Sequence, residues 1–120
     1  MPTESHNVDI EKLMTAVHQN AIDHGWYEEP RTFGDVIALM HSELSEALEE
    51  FRNGHSLTET YYSTDKQGNQ KPEGVPSELA DVIIRVLDTC AYYHIDIAGA
   101  LLKKHIYNTK RPYRHGNKVI

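Results

Sequence analysis

The chain has 120 residues, of which 39% are apolar and 25% are charged, and this size and composition predict one small globular domain over residues 1–120 rather than two. The sequence contains no run of 18 apolar residues, no basic and apolar signal-like stretch at its N-terminus, and a single cysteine, Cys90. We therefore expect a cytoplasmic protein with no membrane partner and no intrachain disulfide.

The net charge of −6 is distributed unevenly along the chain. Residues 1–100 contain all 18 acidic residues and six of the 12 Lys and Arg residues, whereas residues 101–120 contain six basic residues and no acid. An acidic body argues against duplex nucleic acid as a partner. The segregation of charge fits a protein that binds a metal ion together with a polyanion, and it equally fits a solvated acidic body with a basic terminus.

The spacing of apolar residues predicts four helices, at about 8–24, 32–52, 77–94 and 97–108. Residues 54–76 are polar and contain three glycines and two prolines. We predict a long loop there, with a short irregular hairpin around Gly68 and Asn69. The expected fold class is therefore all-α, a four-helix bundle with a long polar loop between the second and third helices.

Apolar stripes on the second and third predicted helices are expected to form the core. The predicted core residues of these two helices are Ile37, Met40, Leu44, Ala47, Leu48, Phe51, Leu79, Val82, Ile83, Val86, Leu87 and Cys90.

Acidic residues recur at helical spacing along the edge of both stripes. At 100° per residue, Glu43, Glu46 and Glu50 fall within about 60° of one another on the second helix, and Glu78 and Asp81 are three residues apart on the third. Like charges at this spacing repel, and a divalent cation is the simplest compensation. The hard cation Mg²⁺ prefers oxygen ligands of this kind.

Ordinary structural roles also account for these acids. Glu78 lies in a first helical turn, where the helix dipole favours an acid, Asp81 and Arg85 have the spacing of a salt bridge, and Glu46 can simply face water. Other metal chemistries do not fit, because the sequence has no Glu-x-x-His, no His-Glu-x-x-His and no paired cysteines.

The segments LMHSELSEALEEFR and KPEGVPSELADVIIRVLD resemble the all-α nucleoside triphosphate pyrophosphohydrolase superfamily, in particular MazG-like proteins. The pattern of that family is Glu-x-x-Glu on one helix and Glu-x-x-Asp on the next, here Glu43, Glu46, Glu78 and Asp81. The similarity extends over roughly residues 13–118. One departure is the 31-residue interval between the two motifs, which is longer than is usual for the family.

The resemblance implies cleavage of a nucleoside triphosphate between its α and β phosphates, with Mg²⁺ as cofactor and Mn²⁺ as a substitute. It implies that the four motif carboxylates bind the metal; we expect Glu46 to accept the proton of the attacking water, and Glu50 to replace or assist a ligand. It also suggests a homodimer or homotetramer, with the nucleotide near the subunit contact.

Other residues are expected to bind the substrate. Residues at the end of the fourth helix and just beyond it have the spacing and charge to contact phosphates, or they form a basic helix end that complements the dipole. Trp26 is expected to stack on the base, or merely to pack against the bundle. The candidate phosphate-binding residues are Lys104, Asn108, Lys110, Arg111 and Arg114.

Two other functions remain open on the sequence. The first is a non-catalytic helical adaptor whose acidic groove recognises a basic partner segment. The second is a related phosphohydrolase that acts on phosphoribosyl-type nucleotides.

Overall fold

A computed structural model describes residues 6–120 of the chain. Residues 1–5 lie outside the described part. They belong to the N-terminal stretch in which we predicted no signal sequence. The secondary-structure elements, in chain order, are α1 (Ile10–Asp23), α2 (Phe33–Arg52), β1 (Tyr61–Thr64), β2 (Gln70–Glu73), α3 (Val75–Tyr92), α4 (Ile97–Thr109) and the very short α5 (Arg114–Asn117). The prediction of a mostly helical protein is confirmed, with the addition of a two-stranded sheet.

Local signals place the helix starts close to where the sequence predicts them. The Asp9 carboxylate accepts a hydrogen bond from the Lys12 backbone N–H at 3.0 Å and so caps α1. Thr32 and Asp35 form a capping box at the start of α2, with bonds of 3.1 and 3.3 Å. Each cap satisfies backbone donors that a helix start leaves unpaired.

The polar segment between α2 and α3 contains the predicted hairpin. Strands β1 and β2 are antiparallel, with Tyr61 opposite Glu73 and Thr64 opposite Gln70. The Asp65 carboxylate accepts bonds from backbone N–H groups of its own turn, and Gly68 supplies the positive φ of +85° that this tight turn requires.

Helix α3 is the central element of the fold, because it packs against α1 on one side and α2 on the other. The most buried apolar side chains lie on α2 and α3, namely Ala47 (8% exposed), Leu87 (2%) and Cys90 (6%), together with Val75 at the start of α3. The predictions that α2 and α3 pack together and that Cys90 lies in the core are confirmed.

The predicted apolar stripes are only partly buried, which corrects the expected core. Leu44, Leu48 and Phe51 of α2 are 47%, 55% and 58% exposed, and Leu79 and Ile83 of α3 are 45% and 54% exposed. Helical periodicity identifies which face is apolar, but it does not show what covers that face.

The four long helices do not close into a bundle within one chain. Helix α4 makes only sparse contacts with the other elements, and the radius of gyration is 17.2 Å, whereas about 14 Å is typical for a compact domain of this length. No helix in residues 6–120 combines the length and apolarity needed to cross a bilayer.

Candidate functional site

Three of the four predicted metal ligands converge. Glu43 and Glu46 are one turn apart on α2, Glu78 lies in the first turn of α3, and each offers a carboxylate oxygen within 4.8 Å of the other two. Packing of α2 on α3 brings the two motifs together although 31 residues separate them in the sequence. We call these three residues the glutamate cluster.

Glu78 shows the electrostatic cost of this arrangement most clearly. Its Oε2 atom is buried and has no hydrogen-bond partner. Burial, a hydrogen bond shared with Glu46, and the negative charges of Glu46, Asp81 and Glu43 together raise the pKa of Glu78 to about 7. A buried carboxylate oxygen without a partner is costly, and a cation among these oxygens would remove that cost.

Asp81 lies near the glutamate cluster but outside the group of three. Its pKa is raised, first by burial and then by the charge of Glu43, while Arg85 and Lys71 lower it by smaller amounts. Asp81 also lines the cleft described below, together with Glu43. Its role as a fourth metal ligand therefore stays a prediction.

Arg85 belongs to the site, and its partner is not Asp81, the one that its spacing in the sequence predicts. Its Nε donates a hydrogen bond to the Glu43 carboxylate at 2.7 Å, which joins α3 to α2. The Glu43 side chain is only 13% exposed there, so the arginine compensates one of the cluster's charges. The sequence did indicate that Arg85 compensates an acid of the site, because Arg85 is the single Lys or Arg of α3 and follows Asp81 by one turn.

Glu50, which the sequence left open as an extra ligand, has other partners. The Tyr61 hydroxyl donates to the Glu50 carboxylate, 2.9 Å from each oxygen, and the His55 Nε2 lies 3.5 Å from it. The bond to Glu50 raises the pKa of Tyr61 to about 12. Glu50 therefore ties the hairpin to α2 and is not part of the glutamate cluster.

A cleft of about 440 Å³ opens beside the glutamate cluster and falls within the common size range of ligand sites. Glu43, Asp81 and Arg85 line one part of it, and Trp26 and Arg31 line another. Acidic and aromatic groups thus face the same space.

Trp26 borders the cleft and is not packed into the core. Its side chain remains 56% exposed, and the Arg31 guanidinium carbon lies 5.0 Å from the centre of its ring. One face of the indole is therefore paired with a cation, and its role as a stacking surface stays a prediction.

Aromatic residues support the cleft wall next to Trp26. The Tyr27 ring stacks on Tyr92 at 4.6 Å between centroids, and the Asp88 carboxylate lies 2.8 Å from His18 Nδ1. Burial, followed by a hydrogen bond with Asp88, raises the pKa of Tyr27. These contacts join α1 to α3 and fix the wall that Trp26 extends.

The structure does not bring the predicted phosphate-binding residues to the glutamate cluster. Lys104 and Arg111 lie over the Tyr107 ring at 5.4 and 5.7 Å, and Arg114 lies over Tyr113 at 5.6 Å. Within residues 6–120, none of these three, nor Asn108 or Lys110, lines the cleft. The cause is the course of α4, which leaves the three packed helices.

No protein-family model, curated protein or solved structure matches this chain.

Proposed function

We propose that this protein is a Mg²⁺-dependent nucleoside triphosphate pyrophosphohydrolase of the MazG-like type. It would cleave a ribo- or deoxyribonucleoside triphosphate between the α and β phosphates, releasing a nucleoside monophosphate and pyrophosphate, as a cytoplasmic enzyme that clears the nucleotide pool. The observation that carries the proposal is the glutamate cluster beside a ligand-sized cleft, with one buried Glu78 oxygen lacking any partner.

The donor set fits a hard divalent cation. All three groups offer carboxylate oxygens, and within residues 6–120 no histidine or cysteine joins them. Mg²⁺ takes few carboxylates and completes its coordination with water and substrate phosphate, and Mn²⁺ accepts the same ligands. When bound there, the metal neutralises charge on phosphate oxygens and makes a water more acidic.

The chain's own residues supply the remaining chemistry. Glu46 is the exposed member of the cluster, and this exposure supports its proposed role as the acceptor of a proton from water that enters from solvent. Arg85 holds the Glu43 carboxylate in position at 2.7 Å. Asp81, at the edge of the same cleft, is the fourth proposed ligand.

The far part of the cleft would hold the nucleoside. Trp26 presents an exposed ring for stacking, and Asn20 lines the same cleft with an amide that can both donate and accept hydrogen bonds. Stacking binds any base through its π-face, so Trp26 supplies affinity, and polar groups such as Asn20 are left to discriminate between bases.

A homodimer or homotetramer would complete the fold. The exposed side chains Leu44, Leu48 and Phe51 form a continuous apolar stripe on α2, and monomeric proteins rarely leave such a patch in water. A second copy covering this stripe would also give α4 a surface to pack on. In such an assembly the basic residues of α4 and the tail can approach the phosphates of a bound nucleotide.

The test is pyrophosphate release by the purified protein, measured over a panel of common and modified triphosphates with and without Mg²⁺. We expect Mg²⁺-dependent release that Glu43→Gln and Asp81→Asn abolish without unfolding the protein. The matched control is Glu49→Gln, because Glu49 lies on the same helix but pairs with Arg52 at the surface. Turnover by Glu43→Gln at the wild-type rate would refute the assigned site.

The panel, with phosphoribosyl-type nucleotides added to it, also separates the other functions. An adaptor would show no metal-dependent release with any substrate. A phosphohydrolase for phosphoribosyl-type nucleotides would release pyrophosphate from those compounds and leave the other triphosphates intact.

A further inference from the structure

The backbone around Trp26 is held on both sides, whereas its ring is not held by the core. The Trp26 N–H donates to the Ala21 carbonyl at 3.1 Å, and Gly25 before it has a φ of +81°. Tyr27 after it stacks on Tyr92 of α3 with 4.6 Å between centroids. The Trp26 side chain is nevertheless 56% exposed, so a contact outside the core has to fix the orientation of its ring.

Arg31 supplies that contact from the other end of the connection between α1 and α2. Its guanidinium carbon lies 5.0 Å from the centre of the Trp26 ring. Arg31 directly precedes Thr32, whose backbone N–H and hydroxyl both bond to Asp35 in the capping box of α2. The backbone is therefore fixed next to Arg31 as well, and the contact between the two side chains bridges a connection whose two ends are both anchored.

No acidic group draws Arg31 away from the indole. Among the ion pairs of residues 6–120, none includes Arg31, whereas Arg85, the other arginine that lines the cleft, is bonded to Glu43 at 2.7 Å. A guanidinium is planar and weakly hydrated, so it stacks on an aromatic face at a low desolvation cost. The Trp26 ring is thus the partner of Arg31 in the described part of the chain.

The position of the pair gives this contact a consequence for a ligand. Trp26 and Arg31 line the same cleft as Glu43 and Asp81. With the guanidinium over one face of the indole, the opposite face is the one left for stacking. A ring that is already held in one orientation loses less rotamer freedom when a ligand stacks on it, and binding is tighter for that reason.

We propose that Arg31 is a positioning residue, which holds the Trp26 indole in the orientation in which a nucleobase stacks on its open face. The inference rests on the proposed function for the identity of the ligand. Arg31 acts through Trp26 and does not touch the phosphate chain. The pair therefore raises the affinity of the cleft for a nucleotide and leaves its affinity for bare polyphosphate unchanged.

The experiment measures two affinities of the full-length protein by calorimetry in Mg²⁺. One ligand is the tightest-binding of the four common ribonucleoside triphosphates carrying a methylene group in place of the oxygen that bridges the α and β phosphates. The other is inorganic tripolyphosphate, which has no base. We expect Arg31→Gln to weaken binding of the nucleotide analogue about fourfold, which corresponds to about 0.8 kcal/mol, and to change tripolyphosphate binding by less than about twofold.

Further variants separate positioning from a general effect of charge. Arg31→Lys keeps a cation that can lie over the ring, and it should restore most of the affinity for the analogue. Arg52→Gln is the matched control, because it removes the same charge from an arginine that pairs with Glu49 at the surface. In a Trp26→Ala background, Arg31→Gln should have no further effect, since the two residues act through one contact.

The orientation of the ring can be measured directly. Trp26 is the single tryptophan of the chain, so the fluorescence anisotropy of the protein reports the motion of this ring alone. Without ligand, the anisotropy should be lower in Arg31→Gln than in wild type and in Arg52→Gln. Circular dichroism of the three proteins should be the same.

Several results would overturn the inference. One is an unchanged affinity of Arg31→Gln for the nucleotide analogue, or a wild-type protein that binds none of the four analogues. Another is an equal loss for tripolyphosphate, which would show that Arg31 binds phosphate itself. A full effect of Arg31→Gln without the indole would also exclude positioning. If binding depends on Arg31 through Trp26 but no triphosphate is hydrolysed, the inference stands and the proposed hydrolase function fails.

Discussion

Replacement of Glu78 by glutamine tests the electrostatics of the glutamate cluster through stability alone. The folded protein holds the Glu78 proton more tightly than an unfolded chain does, because the pKa is raised from 4.5 to about 7. The free energy of unfolding therefore decreases as pH rises from about 4.5 to about 7, and the penalty is complete above pH 7. Glutamine has nearly the same shape and no charge, so Glu78→Gln should remove the penalty.

The expected magnitude follows from the pKa. A rise of the pKa to about 7 corresponds to a destabilisation of about 3 kcal/mol when Glu78 is ionised. Glu78 is partly exposed, so solvent screens its charge, and the three acids share their protons. Both effects reduce the expected destabilisation to about 1 kcal/mol. For a chain of this length, 1 kcal/mol raises the melting temperature by about 4 °C. We expect this gain at pH 8 in EDTA and a smaller one at pH 5.

Mg²⁺ should reverse the order of the two proteins. At a free Mg²⁺ concentration ten times its dissociation constant, wild type gains about 1.4 kcal/mol. The variant lacks one ligand, and with an affinity more than tenfold lower it gains less than about 0.4 kcal/mol, which does not preserve its advantage of about 1 kcal/mol. The assay is thermal unfolding followed by circular dichroism, with and without Mg²⁺, at both pH values. A Glu78→Gln protein that is less stable than wild type at pH 8 in EDTA would refute this electrostatic account.

Two further predictions concern the tail and the assembly. Arg111 does not line the cleft of a single chain, but in the proposed oligomer it would contact the phosphates. Arg111→Ala should then raise the KM for triphosphates several-fold and leave kcat nearly unchanged, because a contact made equally in the ground and transition states changes binding alone. Steady-state kinetics showing both constants unaltered would remove the tail from substrate binding. Phe51→Glu should convert an oligomer into a monomer of 13.7 kDa, measured by light scattering, since Phe51 is 58% exposed on the apolar stripe of α2 and a charge there opposes burial. Unaltered circular dichroism would show that the variant folds. An unchanged mass would place the subunit contact elsewhere.

Local features of the fold were predictable because they depend on neighbouring residues. Caps such as Asp9 and Thr32 satisfy backbone donors within one turn, so the helix starts follow from the sequence. The turn at Gly68 follows from the same kind of short-range chemistry. The convergence of Glu43, Glu46 and Glu78 was expected from the family resemblance and from the acids along the edges of two apolar stripes, but the stripes did not show which part of each helix meets the other.

Features that depend on distant partners were not predictable from spacing. Arg85 has the helical spacing for Asp81 but bonds to Glu43, 42 residues away. Glu50 lies on the same side of α2 as Glu43, yet its carboxylate accepts a hydrogen bond from Tyr61 of the hairpin. Helical periodicity indicates the direction in which a side chain leaves its own helix. It does not indicate the partner of that side chain, because the partner depends on how other elements pack there.

The exposure of Leu48 and the course of α4 also depend on distant partners. An apolar stripe indicates that a face is buried, and the surface that covers it can belong to another copy of the chain. The single chain leaves Leu48 55% exposed, so the sequence identified an apolar face, and its assignment of Leu48 to the core of the chain is wrong.

The most direct test of the glutamate cluster as a divalent cation site is a crystal structure of the protein grown with Mn²⁺, with anomalous diffraction data to locate the metal. The account predicts an anomalous peak bounded by the Glu43, Glu46 and Glu78 carboxylates, and its loss in Glu78→Gln crystals grown under the same conditions. Well-ordered crystals in which these carboxylates carry no peak at saturating Mn²⁺, or in which the metal binds elsewhere, would contradict it.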